Sequence, residues 1–162
     1  MNQQEFLSRS NTGIVVVDMQ LEWVRNLDNK KDLINNQIKI IKQNPSLPAI
    51  LLEMNPPKYG KTLYLIRESV RDRLEARIDK DNTDGFTNPN LEETLYRFGI
   101  KNILFMGTYA SACVFSTSRS AIDKGFKIGT NQRLIADMSC DSHTTISKGA
   151  FKWYQQNCDY FE

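Results

Sequence analysis

One cysteine stands where an apolar run gives way to a helical pattern, a position at which a thiol can act as a nucleophile. Cys113 lies in GTYASACVFSTSRSAIDKGF, directly after NILFM. The first turn of a helix offers unpaired N–H groups and a positive dipole end, which favour a thiolate. We therefore expect Ser111 to cap this helix and the pKa of Cys113 to lie below those of Cys140 and Cys158. The alternative is that Cys113 is a small buried apolar residue, as isolated cysteines usually are.

Two charged residues follow other apolar runs and could assist such a nucleophile. Asp18 ends VVVD, and Lys80 lies in RIDKDNTDGF. A carboxylate directly after apolar residues is costly to bury unless a partner or a chemical role compensates for the burial. Asp18 could instead be a turn or capping residue. Lys80 could be a surface lysine paired with the aspartates at 79, 81 and 84.

These residues require a fold that brings their strand ends together. Five strand-like runs, TGIVVVD, PAILLEM, EARID, KNILFMG and FKIGTN, alternate with helical patterns. We expect Asn90 to cap the helix before the fourth strand and Gly99 to end it. The alternation predicts an α/β fold: a doubly wound, mainly parallel five- or six-stranded sheet with helices on both faces. Sites in such sheets lie at the carboxyl ends of the strands, where Asp18, Lys80 and Cys113 fall.

Length and composition narrow the function classes. The 162 residues suit a single domain, 1–162, and 40% apolar with 25% charged residues is an ordinary globular balance. The net charge is only +2, and the basic residues do not form a stripe along the sequence. We therefore expect no nucleic-acid partner. The chain lacks a long apolar stretch and a signal-peptide pattern, so we expect no membrane partner. Three cysteines without a CxxC pair indicate reduced thiols and a cytoplasmic location. The absence of GxGxxG and P-loop motifs gives no reason to expect a nucleotide cofactor.

The histidine and the two other cysteines do not define a second site. A Cys–His dyad would depend on His143, which lies far along the chain from Cys113. Cys140 and His143 could be two zinc ligands, but a structural zinc site needs four. We therefore expect no metal, and the sequence assigns no role to Cys140, His143 or Cys158.

Three segments together resemble a known family. VVVDMQ, KDNTDGF and GTYASACVFSTSRSAIDKGF are similar to the three motifs of the isochorismatase-like cysteine hydrolases, which include the nicotinamidases. The resemblance implies that family's fold and a catalytic triad of Asp18, Lys80 and Cys113. It further implies a cis peptide between Thr108 and Tyr109, and an oxyanion hole formed by the N–H groups of Tyr109 and Cys113. It also implies a homodimer or a larger homo-oligomer.

Two departures from the family pattern bear on the substrate. Ala110 replaces a threonine that many members carry, and EMNPPKYG has Glu53 where metal-binding nicotinamidases have Asp-x-His. The resemblance therefore implies a metal-independent enzyme that cleaves a small amide C–N bond through a thioester on Cys113. Isochorismatases proper, which cleave a vinyl ether, often lack the cysteine.

Other functions stay open. A catalytically silent member could bind a small metabolite or a protein partner, and Cys113 could take part in thiol redox chemistry. Because the substrate is a small molecule in the leading hypothesis, we expect a compact pocket with aromatic walls. Its candidate lining residues are Gln20, Trp23, Glu53, Tyr59, Phe86 and Phe115.

Overall fold

The computed structural model describes residues 2–138 and 145–161. Within these ranges seven strands form one sheet, and every pairing between them is parallel. The strand order is β3-β2-β1-β4-β5-β7, with β6 beside the end of β4. The strands are β1 (Thr12–Val17), β2 (Ala49–Met54), β3 (Leu74–Lys80), β4 (Asn102–Thr108), β5 (Lys127–Thr130), β6 (Ile135–Ala136) and β7 (Asp159–Tyr160).

Helices connect the strands. The long ones are α3, α6, α7 and α8, and short turns of helix fill the loops at the strand ends. Their bounds are α1 (Gln3–Leu7), α2 (Leu21–Val24), α3 (Lys30–Gln43), α4 (Pro56–Tyr59), α5 (Tyr64–Val70), α6 (Pro89–Arg97), α7 (Cys113–Asp123) and α8 (Thr145–Asn157), with 3₁₀ turns at Arg71–Arg73 and Gly85–Thr87. None of the helices in the described ranges has the length and apolar character needed to cross a membrane.

The architecture confirms the predicted doubly wound α/β fold. The strand order reverses between β1 and β4, so the crevice expected of such sheets lies at the carboxyl ends of these two strands. The sheet has two more strands than the five apolar runs, because β6 and β7 have two residues each and produce no periodic pattern.

The core explains why the first run is continuously apolar. All six residues of β1 are buried, because helices cover both faces of the sheet. Val15 and Val17 belong to one apolar cluster, and Ile14 and Val16 belong to the other. Successive side chains of a strand point to opposite faces, so both faces of β1 need apolar residues.

Some local boundaries differ from expectation. Asn88, not Asn90, caps α6, because Pro89 fits the first helical position and Asn88 accepts from the Asn90 N–H. Gly99 follows the end of α6 with φ 64°, as its predicted role requires. Ala112, not Ser111, precedes α7. Cys140 and His143 lie outside the described residues.

Candidate active site

A glycine allows β1 and β4 to meet closely where the site begins. Gly107 pairs with Val17, and a Cβ added at Gly107 would lie 2.0 Å from the Val17 carbonyl oxygen. Its φ of 136° also favours glycine. The next peptide bond, Thr108–Tyr109, is cis, and the Thr108 hydroxyl donates to the Asp18 carbonyl at 3.0 Å. The ends of the two strands are therefore fixed to each other.

Asp18 and Lys80 form a buried ion pair at this edge. Nζ of Lys80 lies 2.9 Å from Oδ2 of Asp18, and the two side chains are 0% and 3% exposed. The Lys80 ammonium also donates to the Asn82 carbonyl at 3.0 Å. The alternative of a surface lysine is therefore wrong.

Burial of Asp18 opposes its ionisation, and Lys80 is the first of the groups that favour it. Burial raises the pKa of Asp18 above its usual 3.8, while the charge and hydrogen bond of Lys80 act to lower it. Its second oxygen, Oδ1, is buried and has no hydrogen bond of ordinary geometry. A φ of 50° places Asp18 in the left-handed region, which aspartate tolerates better than most residues. The carboxylate thus combines one paired oxygen with one available acceptor.

Cys113 is the first residue of α7 and its thiol is close enough to interact with Asp18. The pKa of Cys113 is raised to about 12, mainly by burial and next by the Asp18 charge, while the Lys80 charge acts to lower it. The thiol is therefore neutral near pH 7, and a hydrogen bond with it helps to lower the pKa of Asp18. The expected low pKa is wrong, since burial and the carboxylate outweigh the helix start. Cys158, half-buried, also has a pKa raised to about 12 by burial.

The segment from the end of β4 to the first residue of α7, residues 109–113, is here called the nucleophile loop. Its turn is closed by the N–H groups of Ala112 and Val114, which donate to the Tyr109 carbonyl at 3.0 and 3.2 Å. The N–H of Cys113 belongs to the first turn of α7, where N–H groups have no partner inside the helix. The loop therefore places the Cys113 N–H beside the thiol.

Three aromatic residues from different loops meet near the strand ends. Trp23, after β1, lies 4.7 Å from Tyr59, after β2, and 6.3 Å from Tyr109, between ring centroids. The Tyr109 hydroxyl donates to the Trp23 carbonyl at 2.9 Å. Of the predicted pocket residues, Trp23 thus contacts the nucleophile loop through Tyr109, and Tyr59 packs against Trp23.

Two other predicted pocket residues support the backbone instead. Gln20 is fully buried and exchanges hydrogen bonds with both the N–H and the carbonyl of Met54, at 2.8 and 2.9 Å. Glu53 is also fully buried; Arg77 Nη2 lies 3.0 and 2.8 Å from its two oxygens, and the Thr62 N–H donates to it at 2.7 Å. Their polar atoms are used for these contacts, and a place for Gln20 and Glu53 in a substrate pocket stays a prediction.

The last two predicted pocket residues pack elsewhere around α7: Phe86 belongs to the 3₁₀ turn Gly85–Thr87, and Phe115 belongs to α7 itself. Phe86 packs 6.0 Å from Phe126, which follows the far end of the 11-residue α7, roughly 16 Å along the helix axis from its first residue. Phe115 packs against Trp153 of α8 at 4.9 Å and lines a mainly apolar cavity of about 310 Å³ with it. Phe86 therefore packs toward the end of α7 and Phe115 packs against α8, and a place for either residue in the substrate pocket stays a prediction.

Sequence reasoning missed two residues that hold the nucleophile loop. Asp137 accepts from the N–H and the hydroxyl of Ser111, at 3.2 and 2.8 Å. The Tyr154 hydroxyl donates to the Ala110 carbonyl at 2.8 Å. Asp137 follows the apolar run LIA much as Asp18 follows VVV, which is the signal that could have identified it.

Metal ligands do not gather in this part of the chain. Within residues 2–138 and 145–161, no three His, Cys, Asp or Glu side chains lie close enough together to hold a metal ion. A larger cavity of about 520 Å³ borders Lys80 and the loop after β2, but the Lys80 ammonium points away from it, toward Asp18.

Comparison with known proteins agrees with the fold. The isochorismatase domain model matches residues 12–159. An 85-residue segment is 32% identical to a ureidoacrylate amidohydrolase of Stutzerimonas stutzeri, covering 52% of this chain and 33% of that protein. An 87-residue segment is 27% identical to nicotinamidase 3 of Arabidopsis thaliana, covering 52% and 44%. The alignments thus span less than half the length of these relatives.

A solved structure extends the likeness over nearly the whole chain. The nicotinamidase structure from Staphylococcus aureus superposes with a TM-score of 0.79 at 19% identity, over 95% of this chain and 99% of that one. At this identity the likeness establishes the fold.

Proposed function

The chain belongs to the isochorismatase family, and from the geometry of its site we propose that it is a metal-independent cysteine hydrolase of small amides. The observation that carries the proposal is the buried Asp18–Lys80 pair, 2.9 Å long, beside the thiol of Cys113. The names of its relatives, an amidohydrolase and a nicotinamidase, support an amide C–N bond as the target.

The proposed reaction begins with a neutral thiol and an ionised carboxylate. Asp18 takes the Cys113 proton as the sulfur attacks the carbonyl carbon, so a thiolate need not exist in the resting site. Lys80 supports this step because its charge favours the ionised form of Asp18 until the proton arrives. The raised pKa of the carboxyl group brings it closer to neutral pH, where a general base is most effective.

The remaining steps return every group to its starting state. The N–H groups of Tyr109 and Cys113 stabilise the tetrahedral oxyanion, a role for which loss of one donor typically costs about 10²–10³ in rate. Protonated Asp18 gives its proton to the leaving nitrogen, the C–N bond breaks, and an acyl thioester remains on Cys113. Asp18 then takes a proton from water, whose oxygen attacks the thioester. The C–S bond breaks, Asp18 returns that proton to the departing sulfur, and a carboxylic acid and the free thiol result.

A metal-dependent route does not fit the residues after β2. Glu53 holds the position nearest to the missing Asp-x-His, and both its oxygens are bound by Arg77, with one of them also bound by the Thr62 N–H. A carboxylate that is fully buried and paired in this way is not available as a ligand. The proposed reaction therefore uses no metal ion, and we expect nicotinamide to be a poor substrate.

Trp23 and Tyr59 are the proposed walls for the substrate. Both contact the nucleophile loop or its neighbours, and Trp23 Nε1 is buried without a hydrogen-bond partner. A flat amide against these rings would bury apolar area while its carbonyl faces the loop. The expected homo-oligomer stays a prediction, as does a cytoplasmic location.

The test is a panel of small primary amides and ureido acids, nicotinamide included. Ammonia release is measured, and mass spectrometry is used to look for an acyl group on the peptide that carries Cys113. Cys113→Ala should abolish turnover while leaving substrate binding within about threefold, because the loss falls on the transition state. Cys158→Ala is the matched control and should leave turnover unchanged.

Asp18→Asn should also abolish acylation in a folded protein. Neither ammonia nor an adduct from any compound, with a wild-type fold, would contradict the proposal and favour the catalytically silent binding protein. Brisk nicotinamide hydrolysis that is lost on treatment with a chelator would contradict the metal-independent assignment.

A further inference from the structure

A carboxylate that the proposed chemistry does not use lies behind the nucleophile loop. Asp137 follows β6 and is 6% exposed. Its Oδ1 accepts both hydrogen bonds from Ser111, whereas its Oδ2 is buried without a partner. A buried carboxylate with one unsatisfied oxygen is costly, so its presence here requires an explanation.

The surroundings of Asp137 all lead to the same loop. Strand β6 pairs with the end of β4, and the Ala136 carbonyl accepts from the Ala110 N–H at 2.9 Å. On the opposite side the buried Tyr154 donates to the Ala110 carbonyl at 2.8 Å. Ser111 lies between these anchors and the helix that begins at Cys113. The segment is therefore fixed at Ala110 and at Ser111.

The position of Ser111 determines how the two proposed oxyanion donors face each other. Tyr109 lies two residues before it and Cys113 two residues after it. The hydrogen bonds from Ala112 and Val114 to the Tyr109 carbonyl close the same turn. A shift of Ser111 would therefore change the direction of both N–H groups together.

We propose that Asp137 is a positioning residue that acts through Ser111 to hold the oxyanion donors of the nucleophile loop in place, an inference that rests on the proposed hydrolase function. A carboxylate suits this place, because Asp137 accepts hydrogen bonds from Ser111 just before the N-terminus of the 11-residue α7, which is the positive end of the helix dipole. A charged acceptor also makes a stronger hydrogen bond than a neutral one. Asp137 touches neither the substrate nor the thiol in this account.

The role predicts a kinetic effect that a purely structural residue would not have. Oxyanion donors bind the tetrahedral state more tightly than the ground state, so misplacing them lowers kcat and leaves KM nearly constant. Asp137→Ala should lower kcat about 10²-fold with KM within about threefold. Asp137→Asn keeps an oxygen acceptor for Ser111 and should retain kcat to within about threefold.

Rates are expressed per active site, from the amplitude of the acyl-enzyme burst. A residue needed only for folding would reduce that amplitude and leave the rate per site unchanged. Asp123→Ala, at the exposed far end of α7, is the matched carboxylate control and should change neither quantity. Ser111→Ala should lower kcat less than Asp137→Ala, since the backbone bond at 3.2 Å remains.

The double variant Ser111→Ala/Asp137→Ala should be no slower than Asp137→Ala alone, because both substitutions remove the same connection. Independent, multiplying effects would overturn the proposal. A kcat per site in Asp137→Ala within twofold of wild type, or a raised KM with unchanged kcat, would also overturn it.

Amide hydrogen exchange tests the positioning role of Asp137 without a measurement of turnover. In Asp137→Ala, the N–H groups of Ala112 and Val114 should exchange at least about tenfold faster, while those of β1 keep their wild-type rates. Unchanged exchange in the loop would overturn the proposal. If the wild-type protein hydrolyses nothing, the proposed function fails while this measurement still tests the role of Asp137. If the wild type is active and Asp137→Ala has normal turnover and normal hydrogen exchange, the positioning role of Asp137 is wrong while the proposed hydrolase function stands.

Discussion

Replacing Lys80 by methionine would test the buried ion pair through stability alone. Methionine has a similar length without the charge, so the substitution leaves Asp18 buried and unpaired. Both side chains are almost inaccessible in the wild type, and the pair has an N–O distance of 2.9 Å. Removing one partner of such a pair costs about 3–5 kcal/mol of unfolding free energy when the other stays charged.

The pH dependence has a definite sign. Burial already raises the pKa of Asp18 above 3.8, and Lys80 is the main opposing influence. Without Lys80 the folded-state pKa rises further, so the folded protein holds a proton that the unfolded chain releases near pH 4. Stability is then retained below pH 4 and lost as pH rises toward the folded-state pKa. Each pH unit across that window costs about 1.4 kcal/mol.

Urea unfolding, followed by circular dichroism at pH 5, 6 and 7, measures this free energy. Lys80→Met should be less stable than wild type by a smaller margin at pH 5 than at pH 7. Asp18→Asn/Lys80→Met should recover most of the loss at pH 7, because it removes both charges. Lys101→Met, at an exposed position, should change stability by about 0.5 kcal/mol or less. A pH-independent loss in Lys80→Met, or a double variant no more stable than the single one at pH 7, would contradict the coupling of Lys80 to the ionisation of Asp18.

Two further predictions concern the Cys113 thiol and the close approach of β1 and β4 at Gly107. Iodoacetamide should modify Cys113 more slowly than free cysteine near pH 7, because a pKa of about 12 leaves almost no thiolate; a fast reaction with a plateau below pH 8 would disagree. Gly107→Ala should destabilise the fold by about 3 kcal/mol or more in the same urea assay, since its Cβ would meet the Val17 carbonyl. Gly149→Ala should be neutral or stabilising, because the added Cβ would enter open space. Equal effects at the two glycines would contradict the close approach of β1 and β4 at Gly107.

The sheet and the ends of its strands were predictable because they depend on local apolar runs. A strand covered on both faces needs an apolar run, and β1, β2 and β4 contain the runs IVVV, AILL and ILFM, so the first polar residue after β1 marks the site edge. That rule located Asp18. The placement of Lys80 followed in the same way from β3, although β3 alternates in burial and its run is less apolar.

The protonation state and the walls of the site were not predictable in the same way. A helix start alone favours a thiolate, but burial and the neighbouring Asp18 determine the pKa of Cys113, and both depend on the tertiary fold. Residue type could not reveal that Glu53 faces Arg77, because the two belong to adjacent strands. Phe86 is apolar within a polar loop, which indicated burial correctly but not the end of α7 at which it packs.

The raised pKa of Cys113 has a consequence for how the proposed hydrolase must work. A resting thiolate would be available to any small electrophile, whereas a thiol with a pKa of about 12 is nearly inert until Asp18 can accept its proton. Moving that proton produces a neutral carboxyl and a sulfur nucleophile, a change that becomes favourable only if negative charge passes at once to a stabilised oxygen. The N–H donors of the nucleophile loop must then be in position before the attack, since they cannot be reorganised during it without losing their benefit. Selectivity for a carbonyl compound thus follows from the same loop geometry that, on our proposal, Asp137 maintains through Ser111.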